Sequence, residues 1–230
     1  METKTREAQI EADIYKRVQR RFAEFDDPAH GWEHIKRVYQ LALHIAEQED
    51  ADRFIAGTAA LLHDIGRLTH DTKQHHAEIS ESLASELLSA YPITPEQKEA
   101  ILHAIIAHSY SRGVEPGTPE ARVVRDADRL DGLGAIGILR WAITGTIRRT
   151  PQTRSYHPDD PFAEQRQPDD RLFMLDHFFT KLLKLADSMS TETGRKMAQQ
   201  RTAFMHAYLE EFRRELEIRA SAGDSLQPHT

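Results

Sequence analysis

An imidazole and a carboxylate sit side by side in Ala59-Ala60-Leu61-Leu62-His63-Asp64-Ile65-Gly66, a run that is otherwise apolar or glycine. Burying an unpartnered polar group costs several kcal/mol, and an ionised carboxylate costs more. Two arrangements meet that demand. A divalent cation satisfies both groups at once; alternatively, His63 is a core histidine bonded to a backbone carbonyl, with Asp64 capping or pairing nearby. Residues of the same chemical kind recur along the chain. In His30-Gly31-Trp32-Glu33-His34-Ile35-Lys36-Arg37-Val38, His34 shares a helix face with Val38, Leu41 and Ile45, whereas His30 precedes the helix as a cap or surface residue. Val123-Val124-Arg125-Asp126-Ala127-Asp128-Arg129-Leu130-Asp131 carries three carboxylates within six residues. Their mutual repulsion raises pKa values unless a cation or an arginine, here Arg125 or Arg129, offsets it. Asp128 follows Val124 by one turn, beside the buried face, and is the best-placed ligand of the three. His76 begins a helix, and His108 follows Ile101 and Ile105 at helical spacing. Taken singly, each is equally consistent with core packing.

Composition narrows the chemistry. The chain has no cysteine, which excludes disulfides and thiolate metal sites and points to a reducing, cytoplasmic setting. Any metal must be held by His, Asp, Glu or backbone oxygen. A formal net charge of −7 argues against nucleic acid as a general partner, because that binding neutralises many phosphates. A small phosphorylated ligand needs only a local basic patch. No apolar run approaches the ~18–20 residues of a membrane helix, and the charged N-terminus carries no export signal.

The elements that position these residues read as helices throughout, with no period-two strand. Helices are expected at about 5–24, 32–49, 52–65, 76–90, 95–108, 120–130, 135–147, 171–188 and 191–218, with a polar turn over 68–74. Thr94-Pro95-Glu96-Gln97 is a helix-start signal with a capping box. Residues 149–170 hold four prolines, many charges and no period. So long a loop is usually a functional lid or a disordered segment; Arg149, Arg154, His157 and Arg166 suggest a lid closing over substrate. The expected organisation is one all-α domain over 1–219, with a flexible tail at 220–230.

The order His34, His63-Asp64, Asp128 on successive helices resembles the HD-domain metal-dependent phosphohydrolase superfamily. HGWEHIKRV, AALLHDIGR, HAEIS, IIAHSYS and DADRLDGLGAIGI are similar to its small bacterial nucleotide-hydrolysing branch, as is the ending DHFFTKLLKLADSMSTETGRKMA. The motif region covers about residues 30–137, and the ending extends it to about Ala198. The resemblance implies an all-helical fold with a metal site in the helix core, where His34, His63, Asp64 and Asp128 surround a divalent cation. It also implies that His76 and His108 face that site, where related dinuclear members place second-metal ligands. Ile65-Gly66-Arg67-Leu68 lacks the acidic pair of the guanosine-tetraphosphate hydrolases, and the Gly-Tyr-Pro signature of the cyclic-di-GMP phosphodiesterases is absent.

The expected function is hydrolysis of a phosphorylated small molecule, most naturally a nucleotide, by a pyrophosphohydrolase or a nucleotidase. Mixed imidazole and carboxylate ligation suits Mn²⁺, the favoured ion, or Mg²⁺, Fe, Co²⁺, Ni²⁺ or Zn²⁺. Arg37, Arg67, Lys73 and Arg129 adjoin the ligand-bearing segments and are candidates for binding substrate phosphate. His76 or His108, if not ligating a second metal, is a candidate to protonate the leaving oxygen, and Asp64 is central to catalysis. The competing expectation is a metal-containing helical module that senses a nucleotide without turning it over.

Overall fold

The structure is a computed structural model that describes residues 2–69, 74–109 and 112–223; Lys73 lies outside the described residues. Among these, nine α-helices account for the architecture: α1 (Glu2–Phe22), α2 (Trp32–Gln48), α3 (Arg53–Leu62), α4 (His76–Leu88), α5 (Pro95–Ala107), α6 (Pro119–Asp131), α7 (Gly134–Arg148), α8 (Asp176–Thr180) and α9 (Glu192–Gly223). The only strand-like pairing described is a single parallel bridge between Arg154 and Phe173. No described helix is long and apolar enough to cross a membrane.

Local chemistry starts the helices where the sequence places them. Asp52 caps α3 by accepting from the Phe54 and Ile55 amides, and Thr94 and Gln97 form the expected capping box of α5. Thr118 caps α6 ahead of Pro119. Capping of this kind satisfies amides that have no partner within the helix.

At the centre α2 packs on α3 and α6, and α5 packs on α3, α4 and α6. Ile35, Val38, Leu61, Leu62, Ile101, Ile105 and Leu130 are fully buried there. Between α3 and α4 the chain makes a 3₁₀ turn, Ile65–Leu68. Gly66 lies so close to α4 that a Cβ on it would be driven into the His76 carbonyl oxygen and lie 2.7 Å from the Ser80 nitrogen. Gly66→Ala should therefore push the start of α4 outward, with the ~1–3 kcal/mol cost typical of overpacking. Thermal unfolding tests this; an unchanged Tm would mean that α4 gives way freely.

Two expectations for the C-terminal half are corrected. Residues 171–188 do not form one helix: after the five-residue α8 come two 3₁₀ turns, Leu182–Lys184 and Ala186–Ser188. The apolar spacing is real, since Leu175, Phe178 and Leu182 are all buried. The backbone is diverted because side chains bind the segment to the loop before it. Asp170 takes His177 Nδ1 at 2.7 Å and Thr180 Oγ1 at 2.9 Å, and Lys181 adopts φ −138°, ψ −59°. The helix α9 also runs on to Gly223, so the tail expected from 220 begins helical; residues 224–230 lie outside the described residues.

The 149–170 segment is an ordered strap. Its ends are joined backbone to backbone, with Arg154 N donating to Leu172 O at 2.8 Å and Met174 N to Arg154 O at 2.9 Å. Its middle is pinned by Arg166, which donates to both oxygens of the fully buried Asp176 carboxylate. Tyr156 and Phe162 pack edge-on against Phe212 of α9. A segment tied at both ends and in the middle is a wall rather than an open lid.

Candidate metal centre and its cavity

Five helices and the turns between them deliver the polar residues to one point. His34 lies in the first turn of α2; His63 and Asp64 follow the end of α3; His76 begins α4; His108 follows the end of α5; Asp128 lies on α6. His34, His63, Asp64 and His108 are buried, while the Asp128 side chain is 29% exposed and closes the cluster at its rim. His34 Nε2 stands 3.3 Å from His63 Nε2, 3.7 Å from Asp64 Oδ2 and 3.5 Å from Asp128 Oδ1. The other oxygen, Asp64 Oδ1, stands 3.5 Å from His76 Nε2 and 3.7 Å from His108 Nε2. All six residues converge as expected. Within the cluster, His34, His63 and Asp128, and separately His63, Asp64 and His108, offer donor atoms within 4.8 Å of one another.

Whether these residues fit a cation turns on where the ring protons lie. His63 Nδ1 is 2.7 Å from the Ala60 carbonyl oxygen, His108 Nδ1 is against that of Ile105, and His34 Nδ1 is 2.7 Å from Asp131 Oδ2. Each Nδ1 faces an acceptor and so carries the proton, which leaves each Nε2 with a lone pair. The cluster thus gathers three imidazole lone pairs and two carboxylates around one space, and Asp64 Oδ1 is buried there without a hydrogen bond. Buried acceptors normally find donors; here a divalent cation fits the set. Each ligating imidazole bonded through its other nitrogen is the usual arrangement around metals.

Electrostatics keeps these groups ready to coordinate. Burial, followed by the Arg140 charge, lowers His34 to about 4. Burial also lowers His108 and, with Arg67 adding to it, takes His76 to about 3. Burial raises the Asp64 carboxyl, but Arg67 and the surrounding imidazoles outweigh it and hold it well below the usual range. These shifts set a pH dependence. The unfolded His34 takes up its proton near pH 6.5 and the folded one near 4, so stability present above 6.5 is lost as pH falls toward 4. By pH 5 that amounts to about 2 kcal/mol. The depressed Asp64 and Asp131 carboxyls act in the same direction below their ordinary range. Chelator-treated protein should therefore melt several degrees lower at pH 5 than at pH 7, and a flat profile would contradict the buried neutral imidazole.

The candidate phosphate-binding residues separate into two groups. Arg67 belongs to the site: its Nε donates to Asp64 Oδ2, and its Nη2 lies 3.3 Å from His76 Nε2. Arg37 instead forms a two-point pair with Asp131, at 2.6 and 2.9 Å. It is three residues after His34, and the same helix face carries it to α6. Arg129 is buried and donates to the Ser188 carbonyl oxygen. As the neighbour of Asp128 on a helix it turns about 100° away from the face that carries Asp128 into the cluster.

Beside the cluster opens a cavity of about 640 Å³ between α7 and the strap. His30 and Arg67 form its inner end; Arg140, Arg148, Arg149, Arg171 and Lys181 line the rest. Among the described lining residues the one carboxylate, Asp170, is already bonded to His177 and Thr180. The α7 wall consists of Gly137, Arg140, Trp141, Thr144, Gly145 and Arg148, which recur every three or four residues and so form one helix face. That periodic run of small and basic residues was the sequence signal for this wall.

The chain is similar to known proteins in both sequence and fold. The HD domain family matches residues 31–133. YpgQ of Bacillus subtilis strain 168 is 34% identical over 196 residues, covering 83% of this chain and 86% of that one. The crystal structure of B. subtilis YpgQ in complex with ADP superposes with a TM-score of 0.71 at 33% identity, covering 91% of this chain and 96% of that one. An HD-superfamily hydrolase from Bacillus thuringiensis also gives 0.71, at 32% identity, covering 92% of this chain and 98% of that one.

Proposed function

The chain belongs to the HD-domain family, and from that premise we propose that it is a divalent-metal-dependent phosphohydrolase of nucleotides carrying more than one phosphate. The observation that carries the reading is the charge of the cavity beside the metal centre, joined to it through Arg67. Arg148, Arg149, Arg171 and Lys181 line it together with Arg67 and Arg140, which are already paired with Asp64 and Asp131, and the one carboxylate among the described lining residues is already partnered. A nucleoside monophosphate leaves most of that charge unanswered once its phosphate reaches the metal centre. A di- or triphosphate meets it. Pyrophosphohydrolysis is therefore favoured over 5′-nucleotidase action, and the crystallised complex of YpgQ with ADP supports a nucleotide ligand.

His34, His63, Asp64 and Asp128 are the proposed ligands of the ion, with Mn²⁺ the favoured occupant. A divalent ion held there supplies Lewis-acid polarisation of a phosphoryl oxygen and makes water a competent nucleophile near neutral pH. Arg67 and Arg140, at the junction of cluster and cavity, neutralise charge on the reacting phosphate and orient it. Arg148, Arg149, Arg171 and Lys181 hold the remaining phosphates. In the ligand-free protein His76 and His108 are neutral at pH 7, which suits them to donate lone pairs. Proton donation by His76 to the leaving oxygen requires the incoming phosphate charge to raise its pKa.

Phosphate and pyrophosphate release from a nucleotide panel, with metal stripped and with Mn²⁺, Mg²⁺, Co²⁺ or Zn²⁺ restored, tests this reading. The expected result is pyrophosphate from triphosphates, only with metal. Phosphate from monophosphates would make the protein a nucleotidase, and tight binding without turnover would make it a sensor. Charge-assisted hydrogen bonds contribute about 1.5–3 kcal/mol. Lys181→Gln or Arg148→Gln should therefore raise KM for triphosphates roughly tenfold or more, while changing monophosphate binding less.

A further inference from the structure

The three imidazoles with buried rings are not held alike. The Nδ1 atoms of His63 and His108 rest on backbone carbonyls three residues earlier in their own chain segments. The Nδ1 of His34 rests on a carboxylate, Asp131 Oδ2, at 2.7 Å. Asp131 is 1% exposed and is embedded between two arginines: Arg37 Nε at 2.6 Å from Oδ1, and Arg140 Nη1 at 3.2 Å from Oδ2. Arg140 is oriented further by its Nε, which donates to the Ala29 carbonyl oxygen at 2.8 Å, next to His30 on the cavity wall. The backbone geometry that allows this is tight. A Cβ at Gly137 would collide with the Gly132 carbonyl oxygen, so only glycine lets α7 start so near the end of α6 and bring Arg140 back over Asp131.

We propose that Asp131 is the positioning residue of the whole site: one buried carboxylate orients His34 toward the metal on one side and Arg140 toward the cavity on the other. The proposal rests on the metal-dependent reading above and extends it to a residue that touches neither metal nor substrate. On the metal side, the charged acceptor fixes His34 as the Nδ1–H form and strengthens Nε2 as a donor; a backbone carbonyl does the first with less of the second. On the anion side, Asp131 holds Arg140 in one rotamer, so its second face is presented to the cavity without an ordering cost when a phosphate arrives. The two arginines in turn neutralise a carboxylate that could not otherwise be buried. Arg37, outside the cavity wall, is then a support for Asp131 rather than a substrate ligand.

Two binding measurements that do not involve turnover test the proposal: calorimetric titration of metal-stripped protein with Mn²⁺, and of protein in chelator with inorganic pyrophosphate. Asp131→Asn should weaken Mn²⁺ binding by about 10–100-fold, the range seen when such outer partners are lost, and should weaken pyrophosphate binding as well. Arg140→Gln should weaken pyrophosphate binding alone. Loss on both axes from Asp131 and on one from Arg140 is the signature that general destabilisation does not produce. In the wild-type protein, ¹⁵N spectroscopy should find His34 protonated at Nδ1, a result that needs no variant to fold. A folded Asp131→Asn protein with wild-type Mn²⁺ affinity, or a His34 protonated at Nε2 in the wild type, overturns the proposal. A wild-type chain that binds no divalent ion overturns the underlying reading too, which separates that failure from this one.

Discussion

Asp64→Ala is expected to abolish stoichiometric divalent-metal binding and to lower kcat/KM by at least about 10³-fold, equivalent to roughly 4 kcal/mol of transition-state stabilisation. Asp64 is the one residue whose two oxygens face different parts of the cluster: Oδ2 lies toward His34 and His63, and Oδ1 toward His76 and His108. Truncation removes both at once and leaves the Arg67 guanidinium without its carboxylate partner. The fold should persist. Asp64 lies between the end of α3 and the following 3₁₀ turn, and its side chain caps neither. Metal content, circular dichroism and turnover measured on one preparation check all three statements. Full turnover from a metal-free, folded Asp64→Ala protein would remove the metal-centred account.

Arg166→Met is the second change with a large expected effect, and it acts far from the ligands. It strips the fully buried Asp176 carboxylate of two charged hydrogen bonds and leaves it the Asp169 amide. Breaking a buried pair from one side costs about 3–5 kcal/mol, because the remaining charge is uncompensated. The cost should fall locally: the strap, held there by Arg166, should show faster amide exchange over 149–175 while the α2–α6 core keeps its protection. Thr150, Thr153, Asp170 and Arg171 belong to the cavity wall, so KM should rise together with that exchange. Removing both partners, as Arg166→Met with Asp176→Leu, should cost less than Arg166→Met alone. Unchanged exchange and KM in the single variant would show that the backbone bonds at its ends and its aromatic contacts hold the strap without Arg166.

The convergence of the polar cluster was legible in the sequence because each member breaks a pattern. His34, His63 and Asp128 interrupt or flank apolar helical faces, and a polar group on such a face must be answered by something. The cavity was harder to read. Arg140, Arg148 and Arg149 look like any solvated basic residues on or just after a helix, and their place in a cavity wall depends on a strap more than twenty residues long folding back over them. Arg37 and Arg129 show the complementary difficulty. Both adjoin ligands in the chain, yet a helix turns neighbours about 100° apart, so Arg129 points away from Asp128's side. Proximity in sequence carried no direction. For 171–188 the apolar period was sound, but a 3₁₀ turn and an α-turn bury nearly the same positions. The Asp170 and Asp176 side chains that divert the backbone pair with residues seven and ten positions away, on the strap or on α8.

The ligands' distribution along the chain has a consequence for the protein's lifetime. An ion bound by His34, the His63-Asp64 pair and Asp128 ties the second helix to the sixth, across most of the folding core, in a chain without a single cysteine to do so covalently. A ligand that binds only the folded state stabilises it by about 2.7 kcal/mol at a concentration of 100 Kd. Where degradation proceeds through the open form, its rate falls by about the same factor as the open population. With such an ion bound, metal supply would set how long each molecule survives, separately from any effect on turnover.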